Sequence, residues 1–263
     1  MTIRILQLTD LHLFEDRQAR LKGVPTFETF TDILQLVHAQ PGEFDWVIIT
    51  GDMTHDERLE TYQLLRETLG SLMSRCKIIP GNHENREYIR EVFPDVVPAG
   101  PGPLTFSFQV EGWRLIGLDS HVPGEVPGRI ERSQLQWLQA ELEKDAEVPT
   151  LLFMHHPPFK VGATWLDKIR LQEPEELLEI IQAAPQIRSV VTGHVHHVFE
   201  GSLGKTRLMT SPSTGVQFVP QVELPKYADT PPGFRVLTLE DGDFTTEVFR
   251  LGELKYPPIN DAD

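Results

Sequence analysis

Apolar positions follow two different spacings along the first third of the chain. Short apolar runs occupy residues 3–9, 46–50 and 77–79, whereas residues 26–38 and 57–69 place apolar side chains three or four positions apart. Buried strands produce the first pattern and amphipathic helices the second. Strands that alternate with helices in this way predict an α/β fold.

The pattern after residue 103 predicts a second group of strands. Residues 104–110 and 113–119 flank Glu111-Gly112, a pair that is typical of a hairpin turn. Helices are predicted at residues 133–143 and 173–183, and further strands at residues 150–154, 189–192, 195–200, 207–210, 234–239 and 245–249. The proline- and glycine-rich residues 98–103 indicate a surface loop. We therefore expect a single domain over residues 1–263 that contains two packed sheets.

Composition and charge narrow the classes of partner. The chain has 40% hydrophobic and 24% charged residues, which is ordinary for a globular protein and excludes a mostly disordered chain. Its 24 basic and 39 acidic residues give a formal net charge of −15, so it would repel a nucleic-acid backbone or an anionic membrane. A single cysteine, Cys76, excludes an internal disulfide and a thiolate metal cluster. With no apolar run of about 20 residues and no secretion signal evident, we expect a cytoplasmic protein without a nucleic-acid or membrane partner.

Five short groups of polar residues each follow an apolar strand. They are Asp10-Leu11-His12, Gly51-Asp52, Gly81-Asn82-His83-Glu84, His155-His156 and Gly193-His194-Val195-His196. Each group alone has an ordinary explanation, such as a helix cap, a turn or a hydrogen-bonded core histidine. Their joint position after strands favours a site, because sites in α/β sheets form at the carboxyl ends of strands. On an extended chain, residues two apart also face the same side, as Asp10 and His12 would, or His194 and His196.

The donor types indicate a metal centre. Imidazole and carboxylate suit manganese, iron, zinc or cobalt. The candidate ligands outnumber those of one tetrahedral ion; they are Asp10, His12, Asp52, Asn82, His155, His194 and His196. Two ions about 3.5–4 Å apart that share a carboxylate would use them all, and such a pair suits in-line attack on phosphorus by a hydroxide.

The same ordered series resembles the signature of the calcineurin-like metallophosphoesterases. A closer resemblance covers nearly the whole chain and points to the bacterial class III 3′,5′-cyclic AMP phosphodiesterases of the CpdA/Icc type. Its further motifs are Leu118-Asp119-Ser120, Gln136-Trp137-Leu138, Trp165-Leu166-Asp167, residues 211–218 and Pro232-Gly233-Phe234-Arg235. The resemblance implies a four-layer α/β/β/α sandwich of two mixed sheets flanked by helices. It also implies a dinuclear centre of iron and manganese, with zinc or cobalt as further candidates.

The resemblance assigns a role to each candidate. One ion would take Asp10, His12 and His196, the other would take Asn82, His155 and His194, and Asp52 would bridge both. His83 would contact the phosphate and protonate the leaving oxygen, so Asp52, Asn82 and His83 form the catalytic set. Glu84 replaces the aspartate that is common in this family and is expected to orient His83.

The activity implied is hydrolysis of 3′,5′-cyclic AMP to the 5′-monophosphate by a metal-bridging hydroxide. One alternative keeps the chemistry but changes the small-molecule substrate to a glycerophosphodiester, a 2′,3′-cyclic nucleotide or a nucleotide-sugar lipid precursor. Another is a non-catalytic scaffold, which the intact ligand set disfavours. The resemblance also allows a homodimer. Residues that could line the pocket or simply pack are His121, His156, Trp165 and Phe218.

Overall fold

Two mixed β-sheets form the centre of the fold. The computed structural model describes residues 2–260. With strands numbered in chain order, the first sheet contains, in spatial order, β11 (Asp243–Arg250), β10 (Gly233–Glu240), β1 (Ile3–Leu8), β2 (Trp46–Thr50) and β3 (Cys76–Ile79). The second sheet contains β4 (Phe106–Val110), β5 (Trp113–Gly117), β6 (Thr150–Met154), β7 (Ile187–Thr192), β9 (Thr206–Thr210) and β8 (Phe199–Leu203).

Helices cover the outer face of each sheet. Packed on the first sheet are α1 (Thr26–His38), α2 (Leu59–Leu69) and α3 (Arg86–Val92), with a 3-10 segment at Gly70–Arg75 after α2. Packed on the second are α4 (Arg132–Glu143), α5 (Thr164–Ile169) and α6 (Glu175–Ala183). A separate apolar cluster fills the space between the sheets and includes Ile5, Ile48, Leu115, Leu151, Val191 and Leu237. The predicted four-layer α/β/β/α sandwich is confirmed.

Strand direction brings the polar groups to one edge. β1, β2 and β3 run parallel, with Leu8 opposite Ile49 and Thr50 opposite Ile79, so these strands end side by side. In the second sheet β6 and β7 are parallel, and Met154 lies opposite Thr192. The backbone N–H of Gly193 donates to the carbonyl of His155 at 3.1 Å, which joins the loops after β6 and β7. The loops that follow these strands therefore meet.

A buried polar network crosses between the sheets below that edge. Arg235 on β10 is only 1% exposed, and it donates through Nε to Ser211 Oγ at 3.0 Å and through Nη2 to the Thr210 carbonyl at 2.9 Å. The hydroxyl of Ser211 donates to Gln7 Oε1 at 2.5 Å, and Gln7 Nε2 donates to Thr50 Oγ1 at 2.9 Å. These contacts fix the first sheet against the strand end of β9 in the second.

Some predicted elements differ from the structure. Residues 195–200 were expected to form one strand, but β8 begins only at Phe199 and residues 193–197 form a turning loop. The short helices α3 and α5 were not predicted, since seven and six residues give too few periodic positions. The Asn85 cap, whose side chain accepts from the N–H groups of Glu87 and Tyr88, was the available signal for α3. Across residues 2–260, no helix combines the length and apolarity that a membrane crossing requires.

Candidate metal centre

Backbone turns at the strand ends bring the candidate ligands together. β1 ends at Leu8 and β7 at Thr192, so the expectation that the paired ligands lie on extended strands is wrong. Left-handed backbone is found instead at Asp10 (φ 54°), His12 (47°), Asp52 (51°), His194 (69°) and His196 (48°). This conformation is uncommon outside glycine and costs free energy, and such strain concentrates at functional sites.

The first cluster joins ligands from the loops after β1, β2 and β7. Nε2 of His12 lies 3.1 Å from Nε2 of His196 and 3.5 Å from Oδ2 of Asp52. Nε2 of His196 lies 3.3 Å from Oδ1 of Asp10. All four side chains are buried, and one donor atom from each lies within 4.8 Å of the others.

The second cluster lies on the other side of Asp52. Oδ2 of Asp52 is 3.4 Å from Nε2 of His155, which in turn is 3.3 Å from Nδ1 of His194. That same nitrogen of His194 lies 3.1 Å from Oδ1 of Asn82. Oδ2 of Asp52 thus belongs to both clusters, while its Oδ1 accepts the backbone N–H of His83 at 3.0 Å.

Hydrogen bonds at the far side of the rings fit these residues to cations. Nδ1 of His196 lies 2.8 Å from the Val216 carbonyl and Nδ1 of His155 lies 2.7 Å from the Thr50 carbonyl, so each carries its proton there. In a neutral ring Nε2 then keeps a free lone pair. Nε2 of His12 lies 3.1 Å from Nε2 of His196, close enough for one cation to be held by both nitrogens. Metal–nitrogen bonds of about 2.1 Å would themselves place neighbouring donors about 3 Å apart.

The charges of Asp52 and His155 depend on each other. Burial opposes ionisation of both, but the close contact outweighs it. His155 holds the pKa of Asp52 well below its ordinary value, and Asp52 raises the pKa of His155 to about 9. Burial lowers the pKa of His194 to about 3, with the nearby His155 adding to the effect. Asp52 therefore attracts positive charge to this point, which a metal ion can supply in place of the proton.

Glu84 fixes the loops rather than the imidazole of His83, contrary to expectation. Its carboxylate accepts the backbone N–H groups of Asp52 at 2.9 Å, Met53 at 2.6 Å and Thr54 at 3.3 Å, together with that of Gly81. The side chain is 2% exposed. One carboxylate therefore holds the loop after β2 against the loop after β3.

Close backbone packing explains two glycines here. At Gly51 the backbone φ is +90°, and a Cβ would lie 2.5 Å from the backbone nitrogen of Gly81. At Gly81 a Cβ would lie 2.2 Å from Oδ1 of Asp52. A larger residue at position 51 would therefore collide with the backbone of Gly81, and one at position 81 would displace the Asp52 carboxylate.

His156 is excluded as a ligand by its hydrogen bonds. Its Nε2 lies 3.0 Å from the Val126 carbonyl and therefore donates, and its Nδ1 accepts from the Ser120 hydroxyl at 2.8 Å. Both ring nitrogens are thus engaged, although the ring lies beside His194 with centroids 4.6 Å apart. His156 packs behind the second cluster and supports it.

Three further residues had an undecided role: His121 lines a cleft, whereas Trp165 and Phe218 pack behind the metal centre. His121 lines a cleft of about 890 Å³ next to Asn85 and Arg86, and burial together with the Arg86 charge lowers the pKa of His121 to about 4. Phe218 stacks on His196 with ring centroids 4.3 Å apart, and the edge of Trp165 meets Phe218 at 4.8 Å. These contacts favour packing behind His196 for both aromatic residues.

Sequence reasoning missed one residue beside the first cluster. His55 has no motif around it, yet its Nδ1 lies 3.3 Å from Nδ1 of His12, and its ring stacks on His83. No periodicity or spacing marks such a contact, because it depends on how the loop after β2 folds back beside β1.

Comparisons with known proteins agree with this geometry. Residues 3–198 match the family described as calcineurin-like phosphoesterase. The chain is 35% identical over 257 residues to the 3′,5′-cyclic adenosine monophosphate phosphodiesterase CpdA of Escherichia coli (strain K12), covering 97% of this chain and 92% of that protein. It is 34% identical over 252 residues to a 3′,5′-cyclic-nucleotide phosphodiesterase of Nostoc sp., covering 95% and 93%. A dimetal phosphatase from Danio rerio shares the fold, with a TM-score of 0.68 at 15% identity over 98% of this chain and 99% of that one.

The family model matches most of the chain, and a relative above 30% identity covers nearly its full length. The structure adds buried clusters of histidine and aspartate that could hold cations. The chain therefore belongs to the calcineurin-like phosphoesterase family and is a metal-dependent phosphoesterase.

Proposed function

We propose that the protein hydrolyses 3′,5′-cyclic AMP to the 5′-monophosphate at a dinuclear centre of iron and manganese, for which zinc or cobalt could substitute. The position of Asp52 Oδ2 in both clusters is the observation that supports two-ion phosphodiester chemistry. Similarity over nearly the full length to relatives that carry the name of cyclic-nucleotide phosphodiesterases supports the substrate.

The ligand sets follow the two clusters. Asp10, His12 and His196 would hold one ion, while Asn82, His155 and His194 would hold the other. Asp52 would contribute to both sites. This division uses each ring nitrogen that faces the centre and leaves the opposite nitrogens of His155 and His196 donating to carbonyls.

When bound, the two ions supply an activated water nucleophile and offset negative charge on the phosphoryl oxygens. Asn82 directs its amide oxygen toward His194, which leaves its NH₂ group to donate to a phosphoryl oxygen. His83 is partly exposed beside His12, with ring centroids 5.0 Å apart, and faces the same region. His83 donates a proton to the departing 3′ oxygen as the new phosphorus–oxygen bond forms and the old one breaks.

The test is steady-state kinetics with added Mn²⁺ on four diester substrates. These are 3′,5′-cyclic AMP, 2′,3′-cyclic AMP, a glycerophosphodiester and bis-p-nitrophenyl phosphate. A kcat/KM for 3′,5′-cyclic AMP at least tenfold above the others is expected if the pocket recognises that nucleotide. Equal or higher values for another diester would leave the two-ion chemistry standing and overturn the cyclic AMP assignment.

A further inference from the structure

His55 lies at the mouth of the metal centre, three residues after Asp52. Its backbone N–H donates to the Leu13 carbonyl at 2.8 Å, which holds the loop after β2 beside the loop after β1. The imidazole is half-buried and packs against three rings. It stacks on His83 (centroids 4.7 Å apart, 22° between planes), contacts Phe14 at 5.0 Å and meets His12 edge-on at 5.3 Å.

The contact with His12 has a defined direction. Nε2 of His12 faces Asp52 and His196, so a cation held there would take the lone pair of that nitrogen. A neutral ring then carries its proton on Nδ1, and this N–H points at Nδ1 of His55, 3.3 Å away. His55 must therefore accept through Nδ1 and carry its own proton on Nε2. In metal-bound histidines the second ring N–H usually donates a hydrogen bond to a carboxylate or carbonyl. His155 and His196 make such hydrogen bonds here, to the carbonyls of Thr50 and Val216.

The contact with His83 is one of shape. Within residues 2–260 the imidazole of His83 makes no hydrogen bond to another side chain. Its orientation therefore depends on packing against the rings of His55 and His12. A near-parallel stack leaves the ring little freedom to turn away from the centre.

We propose that His55 is a positioning residue that serves both partners: its Nδ1 accepts a hydrogen bond from the Nδ1–H of the metal ligand His12, and its ring holds the proton donor His83 in place. The inference rests on the roles given to His12 and His83 under the proposed function. It assigns to one side chain two separable tasks, which two substitutions can divide.

The substitution His55→Phe keeps a flat ring for His83 but removes the acceptor. His55→Asn removes the ring but places Oδ1 the same number of bonds from Cα as Nδ1, so the acceptor remains. The matched controls are His38→Phe and His38→Asn, because His38 is an exposed residue at the last position of α1. Thermal melting of all four variants checks that each is folded. If His55→Phe is not folded, His55→Leu, which also lacks the acceptor, replaces it in the Mn²⁺ titration.

Two measurements separate the tasks. Titration of metal-free protein with Mn²⁺ in a calorimeter should show one site weakened at least about tenfold in His55→Phe, with both sites within about threefold of wild type in His55→Asn. Turnover at saturating Mn²⁺ is compared for diphenyl phosphate, whose leaving group needs a proton, and bis-p-nitrophenyl phosphate, whose leaving group needs it less. In His55→Asn kcat for diphenyl phosphate should fall about tenfold more than kcat for the nitrophenyl ester.

Wild-type Mn²⁺ affinity in His55→Phe, or an unchanged ratio of the two kcat values in His55→Asn, would overturn the proposal. The titration uses no substrate and the turnover arm uses no nucleotide. If the wild-type protein did not hydrolyse 3′,5′-cyclic AMP, the proposed substrate would be wrong, but neither result for His55 would change.

Discussion

Oδ2 of Asp52 lies close to a ring nitrogen of each of the two clusters. It lies 3.5 Å from the ligand nitrogen of His12 and 3.4 Å from that of His155. His83 lies beside them but offers no atom to either ligand set. Loss of Asp52 and loss of His83 should therefore have different consequences.

In Asp52→Ala we expect metal binding and activity to disappear together, because both ions lose their shared ligand. In His83→Ala the metal content should stay at wild-type level while kcat falls about 10²–10⁴-fold, the range of general acid catalysis. Elemental analysis after gel filtration, together with kcat, distinguishes the two. A fully active His83→Ala enzyme would contradict the role of His83.

Metal affinity should depend on pH through His155. With no ion bound, Asp52 raises the pKa of His155 to about 9, so below pH 9 a cation must displace a proton from Nε2. Mn²⁺ affinity at that site is expected to rise about tenfold per pH unit from pH 6 to pH 9 and then level off. Calorimetric titration at several pH values gives the slope, and an affinity independent of pH below 9 would contradict it.

The raised pKa of His155 has the opposite effect on the stability of the metal-free protein, which should fall as pH rises. A histidine whose pKa is raised in the folded state adds stability below its unfolded pKa of about 6.5, and this stability is lost as pH rises through the folded pKa of about 9. The contribution of this pair to the free energy of unfolding is therefore larger at pH 6 than at pH 9.5. Urea unfolding of His155→Asn beside the wild type, without metal, isolates it: the difference between the two should shrink as pH rises.

At the scale of elements, the site depends on how the loops after β2 and β3 are fastened together. Glu84 does this through backbone N–H groups alone, all of which point at its two oxygens. In Glu84→Gln the amide NH₂ would face N–H donors and leave buried groups unpaired. We expect a loss of about 1–3 kcal/mol in the free energy of unfolding and weaker Mn²⁺ binding.

Chemical denaturation and Mn²⁺ titration measure these two effects of Glu84→Gln. The exposed Glu87 on α3 provides the matched control, since Glu87→Gln alters no buried donor. A Glu84→Gln protein as stable as this control would show that the carboxylate is dispensable to the loops.

The elements themselves were largely predictable, and the conformation of their ends was not. Apolar runs and helical spacing identified the strands of both sheets and four of the helices. The order of ligand types after strands identified which residues gather. Nothing in the sequence predicted left-handed backbone at Asp10 or His194. This conformation depends on contacts between loops, such as the hydrogen bond that the His194 N–H donates to the Asp10 carboxylate at 3.0 Å. Glu84 and His55 were misjudged or missed for the same reason, since their partners lie in other loops.

At the scale of the whole molecule, the network around Arg235 holds the two sheets in one relative position. The guanidinium donates to the Thr210 carbonyl and to Ser211 Oγ at the end of β9, and the Ser211 hydroxyl donates in turn to Gln7 on β1. Removing one partner of a buried charged network leaves the others unsatisfied and is more costly than losing a surface contact.

We therefore expect Arg235→Met to lower the free energy of unfolding of the metal-free protein by about 1–3 kcal/mol, because Ser211 and the Thr210 carbonyl lose a buried donor. Arg235→Lys keeps the charge but lacks the planar fork, so its loss should be smaller. Urea unfolding measures both, with the exposed Arg188 on β7 substituted by Met as a control. Equal stability of Arg235→Met and this control would show that the network contributes nothing.

The candidate ligands are divided along the chain by the exposed glycines Gly100 and Gly102. Asp10, His12, Asp52 and Asn82 precede this loop, whereas His155, His194 and His196 follow it. Each cluster contains residues from both sides of the division, so under the proposed assignment each ion would need ligands from both halves of the chain. If the polypeptide were cut at this loop, the pairing of β1 with β10 and the core between the sheets would still join the two fragments. A chelator should therefore abolish activity without separating the fragments, and added Mn²⁺ should restore it.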